Sequence, residues 1–135
     1  MSIISRLAGW LLKLPPPETH AVSLERDLPV TMPDGVILLG DHYFPRRASR
    51  PPTLLVRSPY GRAGLWGLLF GRLFAERGFQ VFIQSCRGTF GSCGVFNAFR
   101  NERADGLATL AWLKSQPWFS GALATEVKSY LGFVL

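Results

Sequence analysis

Cysteine, histidine and methionine are scarce in these 135 residues, with two of each. Two thiols, Cys86 and Cys93, cannot build the disulfide framework of a small secreted domain, and without an export signal they read as free thiols. Two thiols and two histidines distant from them, His20 and His42, are too few for a metal site, so no metal and no cofactor is expected. Long apolar runs are also missing. The longest candidate, Ile3 to Leu14, is interrupted by Arg6 and Lys13 and falls short of the roughly 20 residues needed to cross a bilayer. No small-residue cleavage site follows it, which argues against a signal peptide and for a cytoplasmic protein. Internal repeats are absent, and Pro15-Pro16-Pro17 is the one low-complexity tract.

Acidic residues are outnumbered, nine against fifteen basic ones, for a net charge of +6. Such a balance invites a nucleic-acid reading. The basic residues are scattered singly, however, and the one cluster, Arg46, Arg47 and Arg50, lies in a Pro-rich loop with few aromatics beside it and no recognisable motif. A solvated basic surface is the simpler reading, and no nucleic-acid partner is expected.

What is present is a globular composition, 47% hydrophobic and 18% charged, punctuated by fourteen glycines and ten prolines. Ile3, Ile4, Leu7, Trp10, Leu11 and Leu14 recur at helical spacing, which predicts an amphipathic helix packed by its apolar face, with attachment to a membrane surface as the lesser alternative. Residues 1–20 thus read as a helix and Pro-rich linker, and residues 21–135 as an α/β domain.

In that domain Val22, Leu24, Leu28, Val30 and Met32 fall at even spacing and predict a strand. Pro33-Asp34-Gly35 supplies a turn, and Val36 to Phe44 returns as a second strand. Thr53 to Arg57 and Phe79 to Gln84 are short apolar runs that fit buried strands. Leu65 to Arg77 between them is helical in pattern, closed by Gly78. Asn101 is placed to cap a second helix that runs to about Ser115 before Pro117. Ala122 to Val127 is weakly strand-like. A hairpin followed by β-α-β-α-β predicts an α/β fold with a parallel sheet and helices on its faces.

In such sheets chemistry sits beyond the carboxyl ends of the strands. Three segments rich in unusual residues fall there: Ser58-Pro59-Tyr60-Gly61-Arg62, Arg87-Gly88-Thr89-Phe90-Gly91-Ser92 and Lys128-Ser129-Tyr130-Leu131-Gly132. Spacing alone makes Ser129 an ordinary helix-start serine and leaves Tyr60 open between a loop residue packed on the core and a functional one. Arg87 and Asp105 read as charges that order loops, Trp112 and Trp118 as core, and His20 and His42 as surface or hydrogen-bonded histidines.

Taken in order, Met32-Pro33-Asp34-Gly35-Val36, Arg57 to Arg62, Phe74-Ala75-Glu76-Arg77-Gly78-Phe79 and Gln84-Ser85-Cys86-Arg87-Gly88 resemble the X-Pro dipeptidyl-peptidase and CocE/NonD hydrolases. Gly91-Ser92, Asp105-Gly106, Trp112-Leu113, Gln116-Pro117-Trp118 and Ser129-Tyr130-Leu131-Gly132 extend the resemblance, which covers the chain from about Leu24 onward. It implies the first part of an α/β-hydrolase, reaching the nucleophile elbow, with a small-molecule ester or X-Pro peptide as substrate. Ser129 would be the nucleophile, in the family's Gly-x-Ser-Tyr-x-Gly motif. The backbone N–H of Tyr130 and the hydroxyl of Tyr60 would be the two oxyanion donors. All three residues are expected to converge at one edge of the sheet.

Three departures accompany the resemblance. Val127 stands where the motif has glycine, and Ser85 where many relatives carry aspartate. The acid and histidine that follow the serine in these folds have no counterpart in the six residues after Ser129. The chain therefore reads as truncated just after its nucleophile, without turnover, and with the strand 122–127 left as an association-prone edge.

Overall fold

The computed structural model describes residues 2–47, 49–97 and 100–125. Five strands form one sheet in the order β1-β2-β4-β3-β5. β1 (Val22–Thr31) and β2 (Ile37–Pro45) make the antiparallel hairpin, and β2 pairs antiparallel with β4 (Gln80–Ser85). β3 (Thr53–Ser58) runs parallel to β4 on one side and to β5 (Leu123–Thr125) on the other. The hairpin turn follows from its residues: Asp34 Oδ1 accepts from Val36 N at 3.2 Å, and Gly35 N donates to Met32 O at 2.9 Å. Pro29 lacks a ladder donor, and β1 lies at the outer edge of the sheet order, where that is tolerated. A register shift between Glu25 and Leu28 marks a bulge, with Asp27 at φ 57°.

Helices cover both faces of the sheet. On one face Val56, Val81, Ile83 and Tyr43 pack against Phe70 and Ala75 from the helical segment 64–75. That segment is α-helical in α2 (Gly64–Trp66) and α3 (Leu73–Ala75), with a π-helical stretch, Gly67–Arg72, between them. Sequence periodicity predicts one continuous α-helix here. The difference centres on Tyr43, whose ring lies against Gly67 and Gly71. A Cβ at those glycines would fall 2.4 Å from the Tyr43 hydroxyl oxygen and 2.5 Å from its ring. Gly78, at φ 92°, ends the segment as expected, with Phe79 N donating to Phe74 O at 3.2 Å.

On the other face Leu38, Leu55 and Phe82 meet Leu113 of α4 (Glu102–Lys114), with Trp112 and Trp118 packed beside them. Both tryptophans pack half-buried against this core, as their apolar bulk predicts. The Asn101 cap is not made: Asn101 sits at φ −101°, ψ 1°, with no side-chain hydrogen bond to the helix. Asp105 and Glu102 supply the negative charge at that helix end instead.

The amphipathic helix forms as α1 (Ser2–Leu11), but it faces the opposite way from the prediction. Its small and polar side, Ser5 and Gly9, is buried, while Ile3, Leu7, Trp10 and Leu11 are exposed. Periodicity reveals a stripe but not which way the stripe points.

Candidate active site

The parallel register Ser58↔Ser85 brings the carboxyl ends of β3 and β4 side by side. The chain turns sharply after each. Ser58 Oγ accepts from Tyr60 N at 3.0 Å, and Cys86 N donates to Ser58 O at 3.0 Å, so the two loops leave the sheet tied together. Tyr60 stands in the first loop, 41% exposed, its ring stacked on Trp66 at 5.5 Å. Trp66 in turn stacks on Phe70 at 5.6 Å, which links the loop to the core.

Arg62 holds this corner. Its Nε donates to Asp41 Oδ1 at 3.0 Å and its Nη1 to Ser85 Oγ at 2.8 Å. The same guanidinium donates to Phe90 O and to the Asp27 carboxylate. Asp41 Oδ1 also accepts from Asp27 N at 3.0 Å, so the bulge of β1 is pulled towards the loop that carries Tyr60. One planar group with five donors thus joins β1, β2, the end of β4 and the loop after it. A cavity of about 300 Å³ opens beside this hub, lined by Arg26, Asp27, Asp41, Tyr60, Arg62 and Phe90.

Two further arginines brace the same edge. Arg57, fully buried, donates from Nε to Gln84 Oε1 at 2.8 Å and from Nη1 to Glu102 Oε2 at 3.2 Å. Arg87 grips Asp105 through two bonds of 3.0 and 2.7 Å and Asp34 through bonds of 2.7 and 3.3 Å. It thereby ties α4 to the hairpin turn, the loop-ordering role expected of it. The hydrogen bond and charge of Arg87 hold the Asp34 carboxyl below its ordinary range.

Neither histidine belongs to this edge. His20 Nδ1 lies 3.3 Å from Glu76 Oε1. His42 is buried, stacked on Trp118 at 4.0 Å, with Nε2 3.1 Å from Gln80 Oε1 at the amino end of β4. Burial lowers its pKa, against the opposing pulls of Gln80 and Glu25. Among the described residues no group of three metal-ligating side chains comes together. Both cysteines are free; burial pushes the Cys86 thiol up to about 12.

Of the three site residues read from the sequence, Tyr60 therefore stands in a loop at the carboxyl edge of the sheet. Ser129 and Tyr130 lie outside the described residues, as does Val127. β5 runs parallel to β3, and its last described residue, Thr125, pairs with Leu55. Sequence reasoning gave Arg62 no role of its own. The available signal was Asp41, a carboxylate interrupting an apolar strand, which calls for a buried cation.

A mixed sheet flanked by helices, with parallel strands whose loops are tied together at the carboxyl edge, is the architecture of an α/β-hydrolase, and solved structures bear this out. An α-amino acid ester hydrolase superposes with a TM-score of 0.72 at 24% identity, covering 90% of this chain and 23% of that one. A CocE/NonD family hydrolase from Staphylococcus aureus gives 0.71 at 22% identity, covering 84% and 24%. The sequence profile of the X-Pro dipeptidyl-peptidase (S15) family matches residues 34–135. The chain belongs to that family. It is 36% identical over 114 residues to a cocaine esterase from Rhodococcus sp. (strain MB1 Bresler), a span of 82% of this chain and 20% of that protein. The chain thus spans about a fifth of the length of this curated relative.

Proposed function

We propose that this chain carries the nucleophile and oxyanion side of a serine hydrolase that cleaves an ester or an amide such as an X-Pro bond. The carrying observation is Tyr60: it stands at the carboxyl edge, beside a cavity, on a loop fixed by Arg62. The parallel course of β5 supports a serine at the same edge. In this reading Ser129 Oγ attacks the carbonyl carbon and a general base takes its proton. The Tyr130 N–H and Tyr60 hydroxyl hold the oxyanion of the tetrahedral intermediate. The intermediate collapses, the leaving oxygen or nitrogen departs with the proton, and an acyl group remains on Ser129. Water then repeats the sequence and releases the acid.

Among the described residues neither histidine is placed to serve as the base. His20 is engaged with Glu76, and His42 is buried against Trp118 at the other end of the strands. Hence the 135 residues by themselves are proposed to be without turnover. Hydrolysis of a chromogenic short-chain ester tests both parts. The chain alone should match the uncatalysed background; activity that disappears in Ser129→Ala would overturn the inactivity and keep the nucleophile. In a polypeptide that follows these residues with an acid and a histidine, Ser129→Ala should abolish turnover. Tyr60→Phe there should lower kcat by roughly 10²–10³; an unchanged kcat would remove Tyr60 from the oxyanion site.

A further inference from the structure

Helix α1 meets the rest of the molecule by the side of a helix that ordinarily faces solvent. Ser5 Oγ donates to Glu76 Oε1 at 2.9 Å, and a Cβ on Gly9 would fall 2.8 Å from Arg77 Nη2. The chain beyond is fastened too, with Arg77 Nε donating to Pro15 O at 2.8 Å and Glu18 N to Glu76 O at 2.7 Å. At roughly 100° per residue, the face opposite Ser5 and Gly9 is centred on Leu7. That face is bare: Ile3 is 78% exposed, Trp10 74%, Leu11 63%, Ile4 58% and Leu7 56%. A helix docked by its polar side and presenting a stripe of large apolar residues is built for something outside the described fold.

Charge indicates what that is. Arg6 on α1 and Lys13 just past its end are both exposed, and residues 1–17 contain no aspartate or glutamate. A second copy laid stripe to stripe would bring like charges together, whereas an acidic lipid surface attracts them. Tryptophan at the border of such a stripe suits the headgroup layer. Ten residues of helix rise only about 15 Å, so α1 lies along a bilayer rather than across it. The match to the family profile begins at residue 34, so α1 stands outside the part of the chain that profile accounts for. We propose that α1 is a docking element for an anionic membrane surface, with its apolar stripe seated at the headgroup–acyl boundary and Arg6 and Lys13 on the lipid phosphates. This reading is independent of the hydrolase chemistry.

Cosedimentation of the 135-residue chain with two kinds of vesicle tests it: equal parts phosphatidylcholine and phosphatidylglycerol, and phosphatidylcholine alone. The chain should partition onto the mixed vesicles and release as salt is raised. The double variant Arg6→Gln/Lys13→Gln should weaken partitioning about thirtyfold. Leu7→Ser/Leu11→Ser should abolish it; both residues are exposed, so an unchanged near-UV circular dichroism spectrum would show the fold intact. Arg46→Gln/Arg47→Gln, in the exposed segment after β2 where Arg46 bonds Ala21 and Ser23, should leave binding as it was. No binding to either vesicle would overturn the proposal, and so would equal binding to both. An equal loss in the Arg46/Arg47 variant would assign the attraction to net charge. Sedimentation without lipid that Leu7→Ser/Leu11→Ser removes would assign the stripe to a second copy of the chain.

Discussion

The two ends of the parallel strands are held by different chemistry. At the carboxyl end three guanidinium groups, Arg57, Arg62 and Arg87, meet five carboxylates, Asp27, Asp34, Asp41, Glu102 and Asp105. At the amino end the ties are mainly amides and rings, with the exposed Glu25 carboxylate 3.6 Å from His42 Nδ1. Gln80 Nε2 donates to Pro51 O at 3.0 Å and to Trp118 O at 2.8 Å, while its Oε1 faces His42. Buried ion pairs contribute little net stability against the desolvation they require. Their value is directional: a planar fork with fixed donors determines where each loop leaves the sheet. The charged end is therefore the one organised for positioning, and the neutral end the one organised for cohesion.

Removal of one member of a buried pair should give the largest effect. Arg57→Ala leaves the Glu102 carboxylate, 4% exposed, without its guanidinium, and should destabilise the fold by about 3–5 kcal/mol. Urea unfolding followed by circular dichroism measures this; a loss below about 1 kcal/mol would mean that water replaces the pair and that the two ends do not differ as argued.

A smaller effect, with a distinct signature, is expected at the neutral end. His42 has a folded-state pKa below its ordinary 6.5 because burial disfavours its charged form. The unfolded chain then binds the proton first. Stability is fully present above about 6.5, falls as the pH drops below it, and stops falling once the folded state also takes the proton. His42→Phe preserves the stack on Trp118 and should flatten this slope, while leaving Gln80 Oε1 unpaired at a cost of roughly 1–3 kcal/mol. Melting temperatures of both proteins between pH 5 and pH 8 are the measurement, and parallel curves would contradict the prediction.

The smallest change is expected on the exposed side of the charged end. Asp34→Asn removes the solvent-facing partner of Arg87 and leaves Asp105 in place, so its effect on the urea midpoint should be less than that of either variant above. A larger shift would make the hairpin turn, rather than α4, the anchor of Arg87.

What was legible in the sequence follows the range of the forces involved. The hairpin could be read because Pro33-Asp34-Gly35 and the alternation around it act locally. β3 and β4 could be read because three consecutive apolar residues, Leu54-Leu55-Val56 and Val81-Phe82-Ile83, need burial on both faces. The π-helical stretch could not, since it depends on Tyr43, which reaches Gly67 and Gly71 from another strand. The Arg62 hub was hidden for the same reason: its partners Asp27, Asp41, Ser85 and Phe90 are separated along the chain and become neighbours only in the sheet. Tyr60 was legible as a loop residue at the carboxyl edge, and the resemblance to a hydrolase family carried its suggested role. The orientation of α1 was not legible, because an amphipathic pattern is symmetric between an inward and an outward stripe.

The π-helical stretch has a consequence for how the chain tolerates changes of length. A π turn holds one more residue than the α turn it replaces. Deleting a single residue within Gly67–Arg72 would let the segment wind as a regular α-helix over the same turn, so Trp66 before the stretch and Leu73 after it would keep nearly their present directions. The surface on which the Tyr60 ring stacks would then stay in place. The stretch 67–72 thus absorbs a residue of length without re-aiming the Tyr60 loop, and variants of this chain that lose one residue there should keep that loop in place.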